Sequence, residues 1–180
     1  MSDLPRVLSQ VELANGFLGD AIQICVVTPD YRRIMAGFVK AGIGPWRVYT
    51  FSPDTVSEMT YRGRPARYSM KLCLAFSGSM MWEIVQPLEG PSLYTEFLEG
   101  HGEGVHHIAV NCKDVPYEER IREFEARGFR MVQSGKWMDT VPYHYFETDG
   151  AIGTTIEIFN IPADFPMPEP EEWYPAAPTA

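Results

Sequence analysis

Positive charge is scarce in this chain. Its 180 residues hold 15 Lys and Arg against 24 Asp and Glu, a formal net charge of -9 at pH 7. Such a surface repels phosphodiester backbones and anionic lipid, so neither nucleic acid nor a membrane surface is an expected partner. Long apolar runs are missing too: no stretch approaches the roughly 20 residues that span a bilayer. Met1-Ser2-Asp3-Leu4-Pro5 lacks the basic-then-apolar pattern of a signal peptide. Cysteine is sparse, with Cys25, Cys73 and Cys112 widely spaced among apolar residues. An odd, scattered set of this kind predicts reduced, buried thiols in a cytoplasmic protein, not a disulfide framework. None of the three has a neighbouring base or helix N-terminus to activate it as a nucleophile.

Core-forming material is plentiful, at 45% hydrophobic and 13% aromatic residues. Residues 1–20 read as an N-terminal arm, in which Val11-Glu12-Leu13-Ala14 could make one helical turn before Asn15-Gly16. A β-branched strand follows over Ala21–Val27, then a helix over about Tyr31–Ala41, with Ile34, Met35, Phe38 and Val39 as its apolar face and Gly42 as its stop. Strands are expected at Trp46–Phe51, Ser57–Arg62, Ala66–Phe76 and Met80–Val85. A short helix over Ser92–Leu98 and a glycine-rich link lead to a strand over Val105–Cys112. A charged helix over Pro116–Arg127 and strands at Phe129–Gln133, Val141–Thr148 and Thr154–Phe159 follow. Six prolines from Pro162 to Pro178 exclude helix or sheet interior from the tail, residues 163–180. Phe165, Trp173 and Tyr174 are its anchors to the body or to a second subunit.

The order strand, helix, strands is used twice, and the letters repeat with it. Ile22-Gln23-Ile24-Cys25-Val26-Val27-Thr28-Pro29-Asp30 lies on His106-His107-Ile108-Ala109-Val110-Asn111-Cys112-Lys113-Asp114. Phe38-Val39-Lys40-Ala41-Gly42-Ile43 lies on Phe124-Glu125-Ala126-Arg127-Gly128-Phe129. Trp82-Glu83-Ile84-Val85-Gln86-Pro87 resembles Ile156-Glu157-Ile158-Phe159-Asn160-Ile161-Pro162. Three matched segments in one order divide the domain, residues 21–162, into modules at about 21–90 and 104–162.

Each module carries a polar residue in the middle of its first strand, Gln23 and His107, and a carboxylate in its last, Glu83 and Glu157. Any one of these is ordinary on a half-exposed strand. Four at equivalent places in two repeats form a candidate metal site. A nitrogen, an amide oxygen and two carboxylates suit a divalent first-row ion with positions left open. The repeat pairs Gln23 with His107, so strand alternation sends His106 to the opposite face, where it packs. Tyr68, Trp137, Tyr143 and Tyr145 are candidates for an aromatic pocket wall, and His144, on a strand expected to line the cup, for a substrate contact.

On these segments, including Gly104-Val105-His106-His107-Ile108-Ala109 and Thr155-Ile156-Glu157-Ile158, the chain resembles the vicinal oxygen chelate superfamily. The resemblance covers Ala21 to about Pro162 and implies an α+β fold, two βαβββ modules forming a cupped mixed sheet around a metal site. The run from Glu83 to the histidine pair is similar to methylmalonyl-CoA epimerase, and the order Gln, Glu, His, Glu to glyoxalase I. It implies metal ligands Gln23, Glu83, His107 and Glu157, and a zinc, nickel, cobalt or manganese ion, with iron the weaker candidate. Glu157, with Glu83 second, is the implied acid–base residue.

The implied activity is a metal-dependent lyase or isomerase that moves a proton beside a chelated carbonyl of a small, aromatic or acyl substrate, in a homodimer. Departures narrow it. Val27, Pro87 and Glu103 stand where glutathione carboxylates would be held, which argues against glutathione as a cosubstrate. The second acid of the epimerase pattern is missing from Ala66-Arg67-Tyr68-Ser69-Met70-Lys71, leaving Lys71 or His144 as substitutes. The alternatives are an iron-dependent extradiol-type dioxygenase, against which Gln23 replaces a histidine of the triad, and a non-catalytic binding protein of the same fold.

Overall fold

A computed structural model describes residues 17–113 and 115–178, so the expected turn at Val11–Ala14 lies outside the described residues. The elements in chain order are β1 (Ala21–Val27), α1 (Tyr31–Lys40), β2 (Trp46–Phe51), β3 (Val56–Tyr61), β4 (Arg64–Pro65), β5 (Ser69–Ser77) and β6 (Met80–Glu89). Then come α2 (Leu93–Gly100), β7 (Gly104–Val110), α3 (Tyr117–Ala126), β8 (Met131–Trp137), β9 (Val141–Phe146), α4 (Asp149–Ile152), β10 (Thr155–Phe159) and β11 (Glu172–Tyr174). Among the described residues, no helix is long and apolar enough to cross a membrane.

All the strands join one curled mixed sheet, ordered β11-β2-β5-β6-β1-β7-β10-β9-β8-β3-β4. This is the expected α+β cup of two βαβββ units. In each unit the last strand lies parallel to the first: β6 beside β1, and β10 beside β7. The two units meet along the antiparallel pair of β1 and β7.

Strand alternation sorts the side chains into two faces. Ile84 packs outward under α1 with Met35 and Trp46, and Ile156 and Ile158 pack outward under α3 with Phe124. Phe124 stacks on Phe146 at 4.1 Å between ring centroids, an arrangement worth about 0.5–1.5 kcal/mol beyond its buried area. The helices that cover the outer face start and stop where the sequence directs. The Asp30 carboxylate accepts a hydrogen bond from the Arg33 N–H at 3.1 Å at the start of α1. Gly42 follows its end with φ +87°, a conformation costly for any residue with a Cβ. Glu83, between Trp82 and Ile84, and Glu157, between Ile156 and Ile158, are thereby turned to the inner face.

Two features depart from expectation. Ser57–Arg62 reads as a strand of the first unit, but β3 pairs instead with β8 of the second. A turn in which the Thr55 and Val56 N–H groups donate to the Ser52 carbonyl swings the chain off the β2 edge. β3 and the short β4, with Pro65 in it, then cover the β8 edge. The proline-rich tail contributes a strand of its own, β11, which covers the other edge at β2. An edge position is one a proline-flanked segment can occupy.

Between β10 and β11 the tail crosses the inner face. Phe165 packs on Trp137 at 5.6 Å, and the Tyr49 hydroxyl donates to the Pro168 carbonyl at 3.2 Å. Tyr174 joins the cluster under α1, and Arg47 lies over the Trp173 ring. All three aromatic anchors therefore contact the body of the same chain.

Candidate metal centre

The four inner-face residues picked out by the repeat converge. The His107 Nε2 lies 3.1 Å from Glu83 Oε2 and 3.1 Å from Glu157 Oε2. Gln23 Nε2 lies 3.4 Å from the same imidazole nitrogen and donates to Glu157 Oε2 at 3.2 Å. Relative exposures of Gln23, Glu83, His107 and Glu157 are 1%, 5%, 0% and 4%. Two carboxylates sealed in this way demand positive charge. Without a metal it falls to His107: burial alone would lower its pKa, but Glu157 and Glu83 outweigh burial and hold it at about 9. Burial raises Glu157, with the His107 charge opposing.

The fit to a divalent ion rests on Glu83. Its Oε2 makes no hydrogen bond among the described residues, although it lies 3.1 Å from His107 Nε2. An orphaned carboxylate oxygen beside an imidazole nitrogen, a second carboxylate and an amide is a donor set for a hard-to-borderline dication. Turning the Gln23 amide over presents its oxygen in place of its nitrogen.

A cavity of about 60 Å³ opens above Gln23, Glu83 and Glu157. Trp137, Tyr143 and Tyr145 line one side, and Met70, Leu72 and Leu74 of β5 the other. Tyr94 of α2, Ile161 and Met167 also line it. Tyr68 stands behind this wall and shares a 3.0 Å hydrogen bond with the Tyr143 hydroxyl. The Tyr94 hydroxyl donates to that of Tyr145 at 2.8 Å. Burial pushes all four phenols up, so they stay neutral.

Three readings of the sequence need correction. His144 does not reach the cavity: Tyr143 and Tyr145 point inward, so the residue between them points to the helix side, where its Nδ1 lies 2.7 Å from the Tyr117 hydroxyl of α3. Lys71 also turns away, its Nζ donating to Thr50 Oγ1 and Glu171 Oε2, each at 2.6 Å. His106 is not on the opposite face from His107. A register shift places Cys25 opposite His107 and Val26 opposite Val105, leaving His106 as the extra residue of a bulge. Its Nδ1 lies 2.9 Å from His107 Nδ1, and both rings contact Tyr94. Burial and the adjacent His107 lower the His106 pKa, so it stays neutral and able to accept from His107 Nδ1–H. Nothing in the letters distinguishes this bulge from a regular strand.

A cupped sheet of paired βαβββ units with polar donors buried at its centre is a duplicated fold. Residues 22–143 match the family model of the Glyoxalase/Bleomycin resistance protein/Dioxygenase superfamily, and the chain belongs to that superfamily.

A hypothetical protein of Bacillus halodurans C-125 superposes with a TM-score of 0.58 at 18% identity, over 82% of this chain and 98% of that one. Methylmalonyl-CoA epimerase of Mycobacterium tuberculosis gives 0.56 at 16% identity, over 85% and 91%. A Streptomyces coelicolor methylmalonyl-CoA epimerase variant in complex with 2-nitronate-propionyl-CoA gives 0.55 at 17%, over 81% and 96%. At these identities the likeness is one of fold. No curated protein sequence matches the chain.

Proposed function

We propose that the protein is a metal-dependent lyase or isomerase that moves a proton on the carbon next to a carbonyl of a small organic substrate. The observation that carries this reading is the convergence of Gln23, Glu83 and Glu157 on His107 Nε2 at the floor of an apolar cavity. These four residues would hold a divalent ion: zinc, nickel, cobalt or manganese. The chemistry such an ion supplies is Lewis-acid polarisation of the substrate oxygens, which acidifies the adjacent C–H. Glu157 accepts and returns that proton. Its burial makes it a stronger base than an exposed carboxylate. Glu83 is the second carboxylate within reach of the same floor. With Lys71 and His144 turned outward, the proton is left to Glu157, with Glu83 as the second candidate. Trp137, Tyr143 and Tyr145 orient an aromatic or acyl group and exclude water.

The test is metal analysis of protein purified without chelator, followed by proton exchange. Expected are about one zinc, nickel, cobalt or manganese per chain and deuterium uptake from D₂O next to the carbonyl of one class among 2-oxo acids, 2-hydroxy ketones and acyl thioesters. Iron with oxygen consumption on a catechol would establish a ring-cleaving dioxygenase instead. A protein that takes up no metal on reconstitution would be a binding protein of the same fold.

A further inference from the structure

The three cysteines separate in the fold. Cys73 packs under α1 and Cys112 under α3, while Cys25 faces inward from β1. Across the sheet, Cys25 stands directly opposite Glu83 on β6 and His107 on β7. One sulfur, one carboxylate oxygen and one imidazole nitrogen from these three buried residues lie within 4.8 Å of one another. The unpartnered Oε2 of Glu83 belongs to the same neighbourhood. In the duplicated frame the residue answering Cys25 is Ala109, which offers no donor. The sulfur is thus an addition made by the first unit alone.

Resting on the metal reading above, we propose that the Cys25 thiolate is a ligand of the same centre, beside Glu83 and His107, giving a mixed nitrogen, oxygen and sulfur site. The thiol loses its proton to solvent as the sulfur–metal bond forms. Thiolate and Glu83 together balance a dication, which leaves Glu157 to carry the proton in turnover. A soft ligand directs the site toward zinc or cobalt and away from manganese or magnesium.

The full-length chain, stripped of metal and titrated with cobalt(II) alone, tests this by absorbance. A sulfur-to-cobalt charge-transfer band in the near ultraviolet is expected at one cobalt per chain. Cys25→Ala should lose the band and weaken cobalt binding at least about tenfold, the lower end of what loss of even an outer-shell partner does. The alanine at the equivalent position, Ala109, indicates that this change is accommodated. Should Cys25→Ala fail to fold, the Cys73→Ala/Cys112→Ala double variant isolates the remaining thiol and should keep the band. One bound cobalt without the band, or a band that survives Cys25→Ala, overturns the sulfur ligand and leaves the metal reading standing. No bound cobalt at all overturns both.

Discussion

The imidazole rings of His106 and His107 are hydrogen-bonded to each other through their Nδ1 atoms, 2.9 Å apart. Consecutive residues of a regular strand point to opposite faces and could not meet in this way. The bulge between β1 and β7 brings them together. With its Nδ1 engaged, His107 has only Nε2 to present to Glu83 and Glu157. A histidine that binds a metal through one nitrogen is commonly oriented by a hydrogen bond at the other.

His106 is therefore expected to position the centre without touching it. His106→Phe keeps an aromatic ring against Phe97 and Tyr94 but removes the acceptor. Metal affinity, measured by competition with a chromogenic chelator, should fall about 10- to 100-fold. The circular dichroism spectrum should be unchanged. Unaltered affinity would reduce the His106–His107 contact to packing.

The pH response follows from His107. Its pKa is held at about 9 in the folded protein against an ordinary 6.5. A raised pKa adds stability that is fully present below about 6.5 and is lost as pH rises through about 9. The loss is on the order of 3 kcal/mol for a shift of this size. Glu157, also raised, acts in the same direction. Metal-free protein should thus become easier to unfold in urea between these two pH values. Metal binding should do the opposite, tightening over the same range by about tenfold per pH unit for the His107 proton, and by about a further tenfold per unit if the Cys25 thiol gives up its proton as well. A flat urea midpoint would mean that the cluster carries no proton on His107.

Glu157→Gln keeps the volume and a hydrogen-bonding oxygen but cannot take a proton. Deuterium exchange into substrate should fall by about 10²- to 10⁴-fold, the usual contribution of a general base. Metal affinity should weaken as well, since a neutral amide replaces a charged ligand, so the exchange rates are compared on fully loaded protein. Exchange that persists would transfer the role to Glu83.

Much of this arrangement is legible in the letters because it depends on local alternation. Glu83 and Glu157 each sit between residues that belong under a helix, so their inward direction follows from period two. Cys25, two residues beyond Gln23, is on the same face by the same rule, but the repeat draws no attention to it because its counterpart is Ala109. The direction of His144 follows equally from Tyr143 and Tyr145. The bulge at His106 and the departure of β3 to β8 are different in kind. Both are set by which distant strand lies alongside, and no local pattern encodes a partner 74 residues away, as Thr60 and Ser134 are.

Gly135 governs the aromatic wall. It lies opposite Tyr143, and a Cβ there would come within 2.3 Å of the Tyr143 hydroxyl and 2.5 Å of its ring. Gly135→Ala should push Tyr143 off Tyr68 and into the cavity, at a cost of about 1–3 kcal/mol typical of overpacking. Chemical denaturation checks the stability. Substrate exchange should show a higher KM with metal content unchanged.

The tail closes the cup by apolar contact and not by charge. Arg32 and Glu172 form a 2.6 Å ion pair at β11 and Lys71 pairs with Glu171 at 2.6 Å, but Arg32 and Glu171 are solvent-exposed, and exposed pairs contribute little. Phe165 and Met167, by contrast, sit over the inner face, against Trp137 and at the cavity lining. Pro166 between them, with Pro162, Pro168 and Pro170 on either side, restricts the unfolded tail, so less entropy is lost when it lies down. Phe165→Ala should therefore destabilise the protein by about 1–3 kcal/mol, below the range for a fully buried phenylalanine. Arg32→Ala should leave the urea midpoint nearly unchanged. Met167→Ala should enlarge the cavity, admitting bulkier substrates with little change in stability. Equal effects of Phe165→Ala and Arg32→Ala on the midpoint would show that the β11 pairing, rather than the apolar strap, holds the tail in place.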